Sequence, residues 1–309
     1  MANFLFVSNE KYVKNLGVCT YSVLCNMSPE VEHVRIFVMD CGITEASRER
    51  LRRQTARFEN AEIVFYDIDR RLDEIVPKAP TRWHRAIYGR LFLTDLLPHY
   101  ENLERVVYMD CDALMAQPVT SLFTMDLGGK CVAGVGDADS YARKQALGLP
   151  AERIYINSGV LVIDTARWQA LDASRRIIDY INSFPSELIY PDQDAINVVL
   201  SEEITLIPPK YNMMWMICES DIPKMMRNIP HFLYSAEEMR HALRNVCICH
   251  FAGHDMWTFN GITPIPARIF KKYRRGSDWR QEKRRFESPV RMLLWMLMTV
   301  KRFLVGELF

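Results

Sequence analysis

Two carboxylates stand at the end of an apolar run near the middle of the chain, as Asp110 and Asp112 around Cys111. The run before them, residues 106–109, reads Val-Val-Tyr-Met and predicts a buried strand. Carboxylates two positions apart at a strand end offer a compact set of oxygen ligands for a hard divalent cation. Such a pair is common by chance, so its weight depends on the rest of the chain.

A histidine that follows a later apolar segment could complete this cation site. His250 ends the segment 246–249, which alternates as a strand does. Its imidazole would favour Mn²⁺ over Mg²⁺, and a cation held there could neutralise charge that builds on a departing diphosphate. The same residues permit a simpler interpretation, in which the carboxylates cap turns and His250 is an ordinary surface histidine.

The elements that must position these residues alternate between strand and helix. The predicted strands cover residues 3–7, 34–39 and 61–66, and the predicted helices cover residues 16–25 and 45–57, the second with Thr44 as N-cap. This order is typical of a parallel sheet with crossover helices. Ligands of such sheets bind beyond the carboxyl ends of the strands, so we expect residues 8–10 and 110–112 to face one crevice.

Three later segments carry polar residues next to predicted elements. The triplet 157–159, Asn-Ser-Gly, precedes an apolar run over 160–163, and residues 246–251 predict a further strand. Asp192 and its neighbours Gln193 and Asp194 precede a helical pattern over 195–200, so we expect an aspartate to cap that helix.

Charge is distributed unevenly along a chain of otherwise ordinary globular composition. The 309 residues are 49% hydrophobic with a formal net charge of +1, which argues against a nucleic-acid partner. Residues 268–285, however, hold nine Lys or Arg against two acidic residues. Tyr273, Trp279 and Phe286 lie within or beside this cluster, and an apolar run over 292–300 follows it. Charge runs are usually solvated faces, but this combination predicts contact with an anionic membrane surface.

The cysteines and the lack of long apolar stretches bear on the location of the protein. Eight cysteines are scattered without a framework spacing, and the first residues lack the pattern of a secretory signal, so we expect free thiols in the cytoplasm. No apolar stretch reaches the roughly 18–20 residues of a spanning helix, so attachment to the inner face of the membrane would be peripheral. Cys247, Cys249 and His250 hint at zinc, but a partner C-x-x-C is missing.

An ordered series of short motifs resembles glycosyltransferase family 8, which includes lipopolysaccharide galactosyl- and glucosyltransferases of bacteria and the glycogenins. The resemblance covers roughly residues 3–260, and the order of the motifs makes it specific. The motifs are Val7-Ser8-Asn9-Glu10-Lys11-Tyr12, Tyr88-Gly89-Arg90-Leu91, Met109-Asp110-Cys111-Asp112, Tyr155-Ile156-Asn157-Ser158-Gly159-Val160, Asp192-Gln193-Asp194, Pro208-Pro209-Lys210-Tyr211-Asn212 and His250-Phe251-Ala252-Gly253.

The resemblance implies a GT-A fold, with one Rossmann-like mixed sheet flanked by helices in an α/β arrangement, a UDP-sugar donor and a requirement for Mn²⁺, with Mg²⁺ as the alternative. It assigns Asp110, Asp112 and His250 to the metal, and Gln193 and Asp192 to the catalytic positions beside the sugar. Eight further residues match donor-binding positions: Val7, Ser8, Asn9 and Tyr12 at uracil and ribose, Arg90, Asp137 and Asn157 around the sugar, and Gly253 at the diphosphate. We expect this catalytic domain to span residues 1–262 and a basic helical segment to span residues 263–309.

The chain departs from the family's pattern at two places. Asn9 stands where the family usually has Asp, and Lys11 stands where Asn is frequent. The Lys that usually follows the last motif and contacts the diphosphate is missing, and His254, Lys271 and Lys272 are candidates to replace it.

The sequence therefore predicts a retaining hexosyltransferase that moves glucose or galactose from UDP-glucose or UDP-galactose to a glycan or glycolipid acceptor of the lipopolysaccharide type. Asp192 is the better nucleophile for a double displacement, but we favour front-face substitution, in which the carbonyl oxygen of Gln193 stabilises positive charge at the anomeric carbon. Residues 213–216, Met-Met-Trp-Met, could line an acceptor groove or belong to the core. The alternatives are a soluble enzyme that glucosylates a protein, and a non-catalytic UDP-sugar or glycan-binding protein on the same fold.

Overall fold

Two β-sheets form the centre of the protein, and helices cover them. A computed structural model describes residues 1–75, 85–184, 188–219, 222–229, 232–257 and 264–283. The strands are β1 (Ala2–Ser8), β2 (Val34–Asp40), β3 (Ala61–Asp67), β4 (Arg105–Met109), β5 (Ala113–Met115), β6 (Val132–Gly136), β7 (Ile156–Asp164), β8 (Ile204–Leu206), β9 (Met213–Met214) and β10 (Ile248–His250). The α-helices are α1 (Val13–Asn26), α2 (Glu45–Thr55), α3 (Ser121–Thr124), α4 (Ser140–Ala146), α5 (Thr165–Ala170), α6 (Ala173–Ser183), α7 (Pro191–Val199), α8 (Trp215–Glu219), α9 (Ile222–Asn228), α10 (Ala236–Arg244) and α11 (Pro264–Gly276), and 3₁₀ segments cover Arg71–Glu74, Arg85–Leu96 and Pro209–Tyr211.

The larger sheet has seven strands in the order β3-β2-β1-β4-β7-β6-β8. The pairs β3–β2, β2–β1 and β1–β4 are parallel, whereas β7 runs antiparallel to both β4 and β6. The parallel beginning and the mixed sheet predicted from the sequence are both confirmed. Because β1 and β4 are parallel neighbours, the loops after Ser8 and Met109 leave the sheet at the same edge.

A second sheet of three short strands, in the order β5-β10-β9, lies beside this edge. Strand β10 pairs antiparallel with β5, with His250 opposite Ala113, and parallel with β9, with His250 opposite Met214. This register brings the last residue of β10 next to the residue that follows Asp112. The single sheet expected from the sequence is the seven-stranded one, and the small sheet accompanies it.

Helix boundaries agree with the sequence in the first half of the chain and differ at one functional segment. Helix α2 begins after Thr44, whose Oγ1 accepts a hydrogen bond from the Ser47 amide at 3.3 Å, as predicted. Helix α7, however, begins at Pro191, so the prediction that an aspartate of residues 192–194 caps it was wrong. Proline already supplies the helical φ angle at the first position of a helix, and the acidic residues lie inside the first turn.

The C-terminal helix α11 packs on α1 and continues the core. Tyr273 and Trp279 are buried, and the Tyr273 hydroxyl accepts a hydrogen bond from Asn26 Nδ2 at 2.7 Å. These two aromatic side chains were expected at a membrane, and that expectation was wrong because both are buried: Tyr273 packs between α11 and α1, and Trp279, three residues after α11, packs on Gly17 of α1. Phe286 and residues 292–300 lie outside the described residues. In the part of the chain that the structure describes, no helix combines the length and apolarity needed to cross a bilayer.

Candidate active site

A cleft runs along the edge of the large sheet where β1, β4 and β7 meet the small sheet. It consists of two adjoining cavities of about 190 Å³ and 290 Å³. The smaller contains Asp137, Asn157, Asp192, Gln193 and His250, and the larger contains Val7, Ser8, Asn9, Tyr12 and Asp112. Arg90, Asp110 and Gly253 line both. Every residue that the sequence analysis assigned to donor, metal or catalysis therefore lines this one cleft.

Asp110, Asp112 and His250 form a cluster where the two cavities meet. His250 Nε2 lies 3.3 Å from Asp112 Oδ1 and 3.6 Å from Asp110 Oδ2, and one ligand atom from each residue lies within 4.8 Å of the others. Among the described residues no other group of His, Cys, Asp or Glu has this spacing. Cys247 and Cys249 are outside it and are free thiols, so the hint of a zinc site is not supported.

Burial and charge oppose each other within this cluster. Burial is the largest single influence on the pKa of His250 and would lower it, but Asp112, Asp110 and Asp137 together raise that pKa. Burial would likewise raise the pKa of Asp112, but the charge and hydrogen bond of His250, together with the Gly253 amide, hold that pKa below its ordinary value. The three side chains thus attract a positive charge to one point, which a proton on His250 or a bound cation can supply.

Gly159 makes room for this cluster. Its carbonyl oxygen accepts a hydrogen bond from the Asp110 amide at 2.8 Å, which fixes the loop that carries the carboxylates. A Cβ atom on Gly159 would lie 2.8 Å from both ring nitrogens of His250, and closer still to the carbon between them. Only glycine therefore lets the imidazole reach Asp110 and Asp112.

Arg90 separates the two cavities and ties three segments together. Its guanidinium donates to the Ser158 carbonyl at 2.6 Å and to Asp110 Oδ1 at 3.0 Å, and it lies 3.2 Å from Asp192 Oδ2. Burial would lower the pKa of Arg90, but Asp192 raises it, so the guanidinium stays charged. The sequence placed Arg90 beside the sugar without showing that it pairs with both a candidate metal ligand and a candidate catalytic residue.

The carboxamide of Gln193 is held by hydrogen bonds on both sides. Its Oε1 accepts from the Ser158 amide at 2.9 Å, and its Nε2 donates to Asp137 Oδ2 at 3.2 Å and to the Tyr155 hydroxyl at 3.1 Å. Burial raises the pKa of Asp137, while Asn157, which donates to Asp137 Oδ2 at 2.9 Å, opposes that shift. A carbonyl oxygen has two lone pairs, so Gln193 Oε1 can still face a ligand.

The other end of the cleft is built from the turn between β1 and α1. The Tyr12 ring is 45% exposed and lines the larger cavity. Asn9 Oδ1 accepts a hydrogen bond from the Tyr12 amide at 3.2 Å, so this oxygen shapes the turn itself. The Gly253 amide donates to Asp112 Oδ2 at 3.1 Å, which links the turn after β10 to the cluster of Asp110, Asp112 and His250.

Lys11 also lines the cleft, although the sequence analysis did not assign it to the site. It is exposed and lines the larger cavity together with Asp112 and Gly253. His254 instead lies against the Trp215 ring, with 5.1 Å between ring centroids, and Lys271 and Lys272 are exposed on α11. Of these described side chains, only Lys11 lines either cavity. Lys11 stands where the family frequently has Asn, and this departure was the sequence signal that could have identified it.

Comparison with known proteins identifies the family and agrees with this fold. The sequence model of glycosyl transferase family 8 matches residues 3–257. General stress protein A of Bacillus subtilis is 29% identical over 266 residues, which cover 85% of this chain and 90% of that protein. Lipopolysaccharide 1,2-glucosyltransferase of Escherichia coli K12 is 30% identical over 138 residues, which cover 44% of this chain and 40% of that protein.

Solved structures of glycosyltransferases share the fold. Galactosyltransferase LgtC, solved with donor and acceptor sugar analogues, superimposes with a TM-score of 0.71 at 20% identity over 89% of this chain and 96% of that chain. The bifunctional glycosyltransferase WbbM gives a TM-score of 0.74 at 17% identity over 91% of this chain and 50% of that chain. Because the family model spans most of the sequence, the chain belongs to glycosyl transferase family 8 and is a glycosyltransferase with a GT-A fold.

Proposed function

We propose that this glycosyltransferase is retaining and metal-dependent, and that it moves glucose or galactose from a UDP-sugar to a glycan or glycolipid acceptor of the lipopolysaccharide type. One observation carries the proposal: the Asp110, Asp112 and His250 cluster lies at the junction of two cavities. A diphosphate bound at that junction would have its nucleoside in one cavity and its sugar in the other.

The donor atoms of the cluster fit Mn²⁺. Two carboxylates supply oxygen, as Mg²⁺ and Mn²⁺ both accept, and the imidazole nitrogen favours Mn²⁺. When bound, the cation would neutralise charge on the leaving diphosphate. Asp110 and Asp112 would hold it from the strand end, and His250 from the small sheet.

The larger cavity suits a uridine. The exposed Tyr12 ring offers an apolar face for a base, and Val7, Ser8 and Asn9 form the adjoining wall. Lys11 is the basic residue of this cavity that is in no ion pair within the described chain, because Arg90 is engaged with Asp110 and Asp192. Lys11 would therefore supply charge to the diphosphate that the missing lysine of the family usually supplies.

The smaller cavity suits the sugar and favours front-face substitution. Asp192 is paired with Arg90 and accepts a hydrogen bond from Ser158 Oγ at 3.3 Å, which reduces its availability as a nucleophile. Gln193 Oε1 would stabilise positive charge at the anomeric carbon. The departing diphosphate would accept the proton of the acceptor hydroxyl, so that the new bond forms on the face the diphosphate leaves.

The acceptor would bind at the outer rim of the smaller cavity. Ile87, Tyr190 and Met216 line this cavity and are at least partly exposed, so they offer apolar surface to the faces of a sugar ring. The sequence allowed residues 213–216 to line an acceptor groove or to belong to the core. In the structure they do both, because Met213 is fully buried whereas Met216 is 39% exposed. The resemblance to a lipopolysaccharide glucosyltransferase supports a surface glycan as acceptor.

We also propose peripheral attachment to the inner face of the membrane through the outer side of α11. Arg268, Lys271, Lys272 and Arg275 are exposed there, and within the described chain none of them is in an ion pair. Such a ridge attracts anionic lipid headgroups. With Tyr273 and Trp279 buried, this attachment depends on charge rather than on those rings.

The decisive test is UDP release from UDP-glucose and UDP-galactose with Mn²⁺, and again after chelation. The proposal predicts metal-dependent release from one of the two donors and faster release once a suitable glycan is added. If neither of these donors nor any other UDP-sugar reacts under either condition while UDP binds tightly, the non-catalytic alternative is favoured.

A further inference from the structure

We infer that Asn212 is a positioning residue that fixes the tautomer of His250, so that the ring nitrogen facing Asp110 and Asp112 carries a lone pair instead of a proton. The inference rests on the proposed metal role of His250. Asn212 was part of a sequence motif without an assigned role, and it is fully buried between β8 and β9.

The argument begins at a backbone amide, which can only donate. The Gly159 amide donates to Asn157 Oδ1 at 3.0 Å, and this identifies which end of the Asn157 side chain is the oxygen. The NH₂ end of Asn157 therefore points to Asp137 Oδ2, 2.9 Å away, where a carboxylate accepts it. Both contacts agree with one orientation of the amide.

The orientation of Asn157 determines that of Asn212. The second hydrogen bond to Asn157 Oδ1 comes from Asn212 at 2.9 Å, so the NH₂ end of Asn212 must face Asn157. Asn212 Oδ1 then faces His250 Nδ1 at 2.9 Å. An oxygen without hydrogen can only accept, so His250 Nδ1 carries the proton in the neutral ring.

Nε2 of the neutral imidazole is consequently left with its lone pair, and it is the nitrogen that faces Asp112 and Asp110. A metal ligand needs this form, and a hydrogen bond to the other ring nitrogen is the usual means of selecting it. His250 and Asn212 are both buried, so water does not compete for the contact. Asp137, which receives Asn157, also receives Gln193, so the chain of hydrogen bonds joins the metal cluster to the catalytic amide.

The first test observes the tautomer directly in the metal-free protein. Long-range proton–nitrogen spectra of histidine-labelled protein, recorded well above the pH at which the imidazole titrates, separate the two neutral forms, and His250→Gln identifies the signal. We expect the Nδ1-protonated form in the native protein. A predominance of the Nε2-protonated form would overturn the inference.

The second test measures the affinity for Mn²⁺ alone, from the resonance signal of the free ion. Asn212→Leu keeps the volume but removes the acceptor, and we expect about 10–100-fold weaker binding. Asn212→Asp keeps an oxygen that accepts from His250 Nδ1 but loses the donor to Asn157 Oδ1, so binding should recover in part, to between the native and the Asn212→Leu affinities. Asn3→Leu is the matched control, because Asn3 is also buried and donates to a backbone carbonyl far from the cleft.

The outcomes separate the inference from the proposed function. Native protein that binds Mn²⁺ while Asn212→Leu binds it equally well would overturn the inference and leave the function intact. Native protein that binds neither Mn²⁺ nor UDP would overturn the function. A loss in Asn212→Leu that Asn212→Asp does not restore would assign Asn212 to folding alone, which also overturns the inference.

Discussion

The cleft and the outer side of α11 are both strongly charged, but they differ in sign and in burial. In the cleft, Asp110, Asp137 and Asp192 lie among hydrogen-bond donors, and Arg90 is buried between two of them. On the outer side of α11, Arg268, Lys271, Lys272 and Arg275 are exposed, and in the described part of the chain these four have no carboxylate partner.

Burial explains why the two regions are organised so differently. A buried charge without partners costs several kcal/mol, so each cleft residue must be fixed by neighbours, which also fixes the geometry for chemistry. An exposed charge needs no partner and gains little from one. We therefore expect activity to depend on the position of single atoms in the cleft, whereas membrane binding by α11 should depend on the number of its charges.

The largest expected effect is at the metal cluster. Asp112→Asn removes a charged ligand and should lower the rate constant for Mn²⁺-dependent UDP release by about 1,000-fold, because charge on the leaving group is no longer neutralised. Steady-state kinetics with saturating donor measures this. Asp278→Asn is the control, since the Asp278 carboxylate pairs with the exposed residues Arg53 and Arg57 and its loss should change the rate less than about twofold. An equal loss in both variants would contradict the contrast between the two regions.

Gln193→Ala should have the next largest effect, about a 100-fold fall in kcat with little change in KM, because a contact made mainly in the transition state is lost. The control is Gln54→Ala, since Gln54 is equally buried but donates to the Gly17 carbonyl at 2.8 Å, away from the cleft. That control should lower the melting temperature and leave kcat unchanged. Full turnover in Gln193→Ala would exclude the proposed role of its carbonyl oxygen.

Lys11→Met tests an exposed charge inside the cleft. We expect the Kd for UDP to rise about 10-fold and the Kd for uridine to stay constant, since only UDP carries phosphates for the ammonium group to bind. Calorimetry with both ligands measures the difference. Lys14→Met is the control: it removes an ammonium group that lies 4.9 Å from the centre of the Trp257 ring, and UDP affinity should not change. An equal loss for uridine would show that Lys11 does not act on the diphosphate.

The smallest expected effect is on α11. Each of Arg268→Gln and Lys271→Gln should weaken binding to anionic vesicles by about fivefold, since one charge near such a surface contributes about 1 kcal/mol. Co-sedimentation measures this, and Arg240→Gln on α10 is the control because Arg240 is also exposed. If all three variants sediment like the native protein, the proposed membrane contact of α11 is wrong.

The sequence predicted the elements that have strong local signals. Continuous apolar runs identified β1, β2 and β3, and Thr44 identified the start of α2. The ordered motifs then placed the candidate site residues in one cleft. These signals depend on neighbouring residues along the chain, so they can be recognised without the tertiary structure.

The features that escaped prediction depend on contacts between distant segments. Strands β5 and β9 have two or three residues each, too few for a periodic pattern, and they exist because they pair with β10, the strand that the alternation over residues 246–251 did predict. The sequence suggested that Tyr273 and Trp279 contact a membrane, because the helix that buries them, α1, lies about 250 residues earlier in the chain and gives no local signal. The orientations of the Asn157 and Asn212 side-chain amides are likewise determined by hydrogen bonds between distant segments.

The absence of a side chain at Gly159 has an evolutionary consequence. A single substitution at this position could remove the proposed chemistry while the fold is kept. A single methyl group there would occupy the space of the His250 ring, while the strand β7 around it could still pair with β4 and β6. One base change in a glycine codon can produce alanine. A duplicated gene could thus lose metal binding in one step, before any carboxylate is replaced, so inactive relatives on this scaffold should be sought first by the residue at this position.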